Sequence, residues 1–135
     1  MKITLLSDHG LRIEDAAGPL TIDAPTADMT YSPFHMMASG LGMCTYAVLQ
    51  SWASHADLAA ASLAVEVGWS FAEAPHRVGE YEVLVIWPEL PESRRNAAAR
   101  AAELCAVHST LTHSPVIRTS VAPSTAATTT AGESA

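Results

Sequence analysis

Two cysteines, Cys44 and Cys105, are the only thiols in the chain. Together they can do chemistry that no other pair of its side chains can. A thiolate is a strong nucleophile. Attack on a peroxide oxygen converts it to a sulfenic acid, and a second thiol condenses with that acid to give a disulfide. Each cysteine sits in a dense apolar stretch that reads as helix, Cys44 within Ser32–Thr45 and Cys105 within Ala101–Leu111. They are far apart in sequence, so only folding brings them together. If they meet, the chain carries a two-thiol redox centre. If they do not, they are two small hydrophobes in a core.

Histidines widen the options. His108 follows Cys105 by three positions, within one helical turn. It either lowers the thiol's pKa as an imidazolium or packs as a core residue. Cys44, Cys105, His35 and His108 would also make a zinc-like ligand set, but their spacing matches no close-knit zinc motif. His9, His55, His76 and His113 are scattered and read as surface or turn residues.

The positioning elements follow from periodicity and punctuation. Met1–Leu6 has the composition of a strand, Asp8-His9-Gly10 is turn chemistry, and Leu11–Glu14 returns as a hairpin partner. Pro19–Asp23 gives a short third strand. Ser32 as N-cap and Pro33 as first helical residue predict a helix running to about His55 or Asp57. Gly40 and Gly42 inside it cost roughly 1 kcal/mol each relative to Ala, tolerable where another backbone packs closely. Leu63–Phe71 alternates, with Leu63, Val65, Val67, Trp69 and Phe71 on one face. Glu80–Trp87 alternates likewise, and the two make an antiparallel pair covering the long helix. Glu92–Cys105 reads as helix, His108–His113 as a further helical turn, and Val116–Val121 as a last strand. The order implies an α+β domain over residues 1–121, with helices gathered on one side of an antiparallel sheet. Residues 122–135 are mostly Ser, Thr and Ala without periodicity, the composition of a disordered low-complexity tail.

Composition excludes other classes. The 135 residues carry a formal charge of −7 and are 49% hydrophobic, enough for a core in one domain. An acidic chain repels phosphate backbones, and only Arg94-Arg95 pairs basic residues, so no nucleic-acid partner is expected. No apolar run spans a bilayer, and no segment reads as a signal peptide. The expected compartment is therefore the reducing cytoplasm, where a thiol pair is more often catalytic or free than a permanent disulfide.

The two cysteine segments resemble the OsmC/Ohr family of thiol-dependent hydroperoxide reductases. Ser32-Pro33-x-x-Met36-Met37-x-x-Gly40-Leu41-Gly42-x-Cys44 is similar to the family's helix start. There, a Pro opens the helix and a Leu-Gly-rich run leads to the first cysteine. Cys105-Ala106-Val107-His108-Ser109-Thr110-Leu111 is similar to the Cys-Pro-Val-His-x-Thr-Leu around the second. The resemblance spans roughly residues 1 to 121. It implies an OsmC-like fold in an intertwined homodimer, with long helices packed centrally, sheets shared between subunits and active sites at the interface. It implies that Cys44 attacks, that Cys105 resolves, and that an external dithiol of lipoyl type reduces the disulfide, with no cofactor and no metal. Family members also use an N-terminal Arg to stabilise the thiolate and a Glu near the helix start to hold it. Arg12 is the only N-terminal candidate for the first. The places of the second hold Phe34 and His35, of which His35 can orient a partner or share a proton but cannot neutralise an Arg. Phe34, Met36, Met37 and Met43 are candidates to line an apolar substrate pocket.

Two functions therefore stand side by side. One is a cysteine-based peroxidase of the stress response that reduces organic hydroperoxides. The other is a non-enzymatic protein of the same fold, binding a small apolar or thiol-reactive ligand at the dimer interface.

Overall fold

The structure is a computed structural model, and residues 1–124 are described. Five strands, β1 (Lys2–Ser7), β2 (Gly10–Glu14), β3 (Thr21–Asp23), β4 (Ala64–Ala72) and β5 (Arg77–Ile86), form one sheet in the order β3-β1-β2-β4-β5. Between β3 and β4 lies the long helix α1 (Pro33–His55); after β5 come a 3₁₀ turn (Glu92–Arg94), α2 (Arg95–Ala102) and α3 (Ala106–Thr112). The α+β expectation holds, and the long helix begins and ends where the sequence placed it.

The sheet is mixed rather than antiparallel. β3 runs parallel to β1, pairing Lys2 with Thr21 and Thr4 with Asp23. The reason is occupancy of edges. β2 is flanked by β1 on one side and β4 on the other, so the returning chain reaches only the free edge of β1.

Alternation decides which face carries α1. Ile3, Leu5, Leu11, Ile13, Val65 and Val67 are fully buried and point to the helix. Their neighbours Arg12, Glu14 and Glu66 point to the other side. α1 seats on this face at Gly42: a Cβ there would lie 2.9 Å from Ile13 Cγ1 and 3.1 Å from Val67 Cγ2. The close approach read from this glycine is thus to the chain's own sheet. Gly40 is exposed, with open space where its Cβ would be.

The C-terminal third differs most from expectation. The run from Glu92 to Cys105 is not one helix; α2 stops at Ala102, and Cys105 stands outside it as the N-cap of α3. Val116–Val121 forms no strand. It is unpaired and exposed, with Val116, Ile117 and Val121 at 75%, 83% and 92%. β5 holds the sheet edge, and among the described residues no strand lies beyond it. Of the expected tail, residues 122–124 are exposed and irregular, and the remainder lies outside the described residues.

Candidate active site

The fold brings the two cysteines together. Cys44 lies about 200° round α1 from Gly42, so it faces away from the sheet, toward α3. Cys105 is completely buried. Its extended backbone (φ −62°, ψ 130°) turns the chain into α3, and its Sγ accepts the His108 N–H at 3.3 Å. The two thiols are near enough for each to perturb the proton affinity of the other. Neither is in a disulfide.

Their surroundings push them in opposite directions. Burial tends to raise Cys44, but it is outweighed by hydrogen bonds from the Cys105 thiol and from the Val107 and Ala106 N–H groups. Cys44 is therefore held below the ordinary thiol value. Burial raises Cys105, and so does its role as donor to Cys44; the His108 and Val107 N–H groups offset this only in part. Of the two thiols, Cys44 is thus the more readily ionised and Cys105 the one that holds its proton longer.

The backbone donors come from the start of α3. The first N–H groups of a helix have no partner within it, and here those of Val107 and Ala106 favour the Cys44 thiolate. Neither donor was found from sequence. One signal was there to be read. The Cys-Pro-Val-His pattern that this segment resembles has Pro at the place of Ala106, and Pro there marks a first helical position, which makes the preceding Cys an N-cap.

The other candidates lie elsewhere. Arg12 projects from the far face of the sheet, bonded to Glu66 at 3.2 Å and paired with Glu14 at 3.6 Å. With the sheet and α1 between them, it does not meet Cys44 within one chain. His35 is nine residues before Cys44, two and a half turns, hence on the opposite face of α1 and about 13 Å away along the axis. It is buried, and its work is structural. The Ser32 side chain accepts the His35 N–H at 3.2 Å, while His35 Nδ1 accepts the Ser32 N–H at 3.2 Å. This is a capping box with His in the place of the usual Glu or Gln. Nδ1 being an acceptor, Nε2 donates to the Ser7 carbonyl at 2.9 Å, and the ring stands edge-on to Trp69. This also removes His35 from any metal set with Cys44. His108 acts on Cys105 through its N–H, not its ring.

The four apolar candidates divide. Phe34 and Met37 border a groove of about 430 Å³ with Arg77, Tyr81 and Leu111. Met36 is exposed and Met43 half-buried, on the outer strip of α1 with Gly40 and Ala47. A larger cleft of about 800 Å³ opens between β5, α2 and α3, with Leu41 and Thr45 on one wall and Val83, Trp87, His108 and Leu111 among the others. Sequence reading did not foresee it, because its walls come from four separate elements. Among the described residues no helix is long and apolar enough to cross a membrane.

Comparison with known proteins agrees with this geometry. The profile of the family described as OsmC-like protein matches residues 26–120. Two solved structures share the fold. One is an osmotic stress induced and detoxification response protein of Psychrobacter arcticus 273-4, with 18% identity, a TM-score of 0.56, and coverage of 80% of this chain and 84% of that one. The other is an OsmC-like hydroperoxide resistance protein of Jannaschia sp. CCS1, with 21% identity, a TM-score of 0.55, and coverage of 73% and 71%. No curated protein matches the sequence.

Proposed function

Because the chain belongs to the OsmC-like protein family, we propose that it is a thiol-dependent peroxidase that reduces organic hydroperoxides. The observation that carries this reading is the meeting of Cys44 and Cys105 with opposite proton affinities. The Cys44 thiolate attacks the outer peroxide oxygen. The O–O bond breaks, Cys44 becomes a sulfenic acid, and the alkoxide takes a proton and leaves as an alcohol. Cys105 then condenses with the sulfenic acid, releasing water and forming the disulfide. An external dithiol, oxidised in turn, restores both thiols. The name of the Jannaschia neighbour, a hydroperoxide resistance protein, agrees with this chemistry.

In this scheme the thiolate is held by the Cys105 thiol and by the Val107 and Ala106 N–H groups rather than by Arg12. His35 supports the start of α1 and takes no part in the chemistry. Met36 and Met43 lie on the same exposed strip as Gly40 and Ala47, and the strip carries no charge. A second copy of the chain covers it, completing the site at a homodimer interface. The unpaired Val116–Val121 segment and the open edge of β5 fit sheets shared between subunits. The domain comprises residues 1–121, and the working compartment is the cytoplasm.

The test is consumption of cumene hydroperoxide in the presence of a dithiol. Turnover is expected from the native chain and not from Cys44→Ser; hydroperoxide consumption unchanged by that substitution removes the proposal. Cys105→Ser is expected to keep the first oxidation and lose turnover, and full turnover by that variant removes Cys105 as the resolving thiol. The apolar cleft of about 800 Å³ favours a second reading, binding of an apolar ligand without catalysis. That reading requires tight ligand binding that Cys44→Ser leaves intact and no hydroperoxide consumption.

A further inference from the structure

The two cysteines are mounted on elements of very different firmness. α1 has nine buried residues along its length, whereas α3, seven residues long, has none. A helix of that length is marginal without support. Val107 packs partly buried against the core, and the side-chain hydrogen bond that caps the start of α3 comes from Cys105, whose Sγ accepts the His108 N–H at 3.3 Å as an N-cap would. Cys105 is also the sulfur that must join Cys44 if the pair works as a resolving couple.

We propose that α3 is a redox-operated latch, capped by the Cys105 sulfur in the dithiol form and uncapped when that sulfur is drawn into a disulfide with Cys44. The inference rests on the peroxidase reading for its natural oxidant, a hydroperoxide that takes two electrons and leaves as an alcohol. The Cys44 sulfenic acid and the Cys105 thiol then lose water as the S–S bond forms. Bonded sulfurs stand about 2.05 Å apart, with a fixed dihedral preference, far closer than a thiol hydrogen bond allows. One sulfur must travel, and the deeply packed α1 does not yield. The movement falls on Cys105 and the first turn of α3, which loses its cap.

The latch has a use. In the dithiol form Cys105 has no accessible surface, so an external thiol cannot approach it. Loosening of Ala106–Ser109 opens a path to the disulfide for the reductant. It also shifts His108 and Leu111, which wall the large cleft. The peroxide therefore meets a closed site and the reductant an open one.

Amide hydrogen exchange of the whole protein tests this, in the dithiol form and after oxidation by diamide, which joins neighbouring thiols whether or not the chain is a peroxidase. Exchange at His108 and Ser109 is expected to be about fivefold faster in the disulfide form, with α1 unchanged. Cys105→Ser, whose hydroxyl caps well, is expected to keep α3 protected before and after diamide. Cys105→Ala is expected to exchange fast in both. Equal or slower exchange at His108 and Ser109 in the disulfide form overturns the latch, and so does failure of diamide to join Cys44 to Cys105. If diamide loosens α3 while cumene hydroperoxide leaves both thiols reduced, the latch stands and the peroxidase reading falls.

Discussion

Ala106→Pro isolates one hydrogen bond to the nucleophile while leaving the fold in place. Ala106 is the first residue of α3, where Pro is well tolerated and the N–H has no helical partner to lose. Cys105 before it sits at φ −62°, ψ 130°, the extended region that a residue preceding Pro prefers. The substitution therefore removes the weaker of the two backbone N–H groups that favour the Cys44 thiolate and little else. A hydrogen bond to a charged group contributes about 1.5–3 kcal/mol. Sulfur is a soft, long-range acceptor and Cys44 is only partly buried, so the loss is set at ~1 kcal/mol. Losing a donor that lowers the pKa raises it. At a pH where the thiolate is the minor form, its population falls about fivefold. The rate of Cys44 oxidation by cumene hydroperoxide, followed by stopped flow, should fall by the same factor. At a pH above the pKa of both proteins, the gap closes. The variant should then be equal or up to about twofold faster, because a more basic thiolate is the better nucleophile. A uniform loss across the pH range, or no change at low pH, would refute the assignment of Ala106 as a donor.

Iodoacetamide should label Cys44 well before Cys105. Cys44 is lowered and keeps its thiolate as pH falls through the ordinary thiol range, whereas Cys105 is raised and gains one only above that range; peptide mapping against pH reads the order. His35→Ala should destabilise the protein by about 1–2 kcal/mol through loss of the capping box, seen in urea denaturation, and leave the iodoacetamide rate of Cys44 unchanged. Gly42→Ala should lower stability by about 1 kcal/mol, because its Cβ would crowd Ile13 and Val67 by more than the gain in helix propensity returns. Gly40→Ala has open space within one chain and should not destabilise it, yet should weaken self-association in sedimentation if a second copy packs on that strip.

Much of the fold was legible because its signals are local. Ser32-Pro33 announces the start of α1 by capping chemistry. The alternation of Leu63, Val65, Val67 and Trp69 sets the buried face of β4 whatever its neighbours are. The parallel seat of β3 was not legible, because it depends on which edges of β1 and β2 other strands have taken. The break at Cys105 was hidden for a different reason. Nothing between Arg95 and Thr112 is Gly or Pro, and the Ala-rich run carries helix propensity straight through Glu103 and Leu104. With Ala at 106, the usual sign of a helix start is missing. Val116–Val121 has the composition of a strand, yet in a single chain it stays exposed and unpaired although the edge of β5 is open. At the site, the residue types pointed to the two thiols. They pointed also to His35 and Arg12, whose side chains the periodicity of helix and strand turns away from Cys44 within one chain.

The most direct measurement is the product of a single equivalent of cumene hydroperoxide on the reduced protein, read by intact mass and peptide mapping. One disulfide per chain is expected, joining Cys44 to Cys105, with none formed by Cys44→Ser. Unchanged thiols, or a disulfide linking two copies through a single cysteine of each, would contradict the pairing of attacker and resolver within one chain.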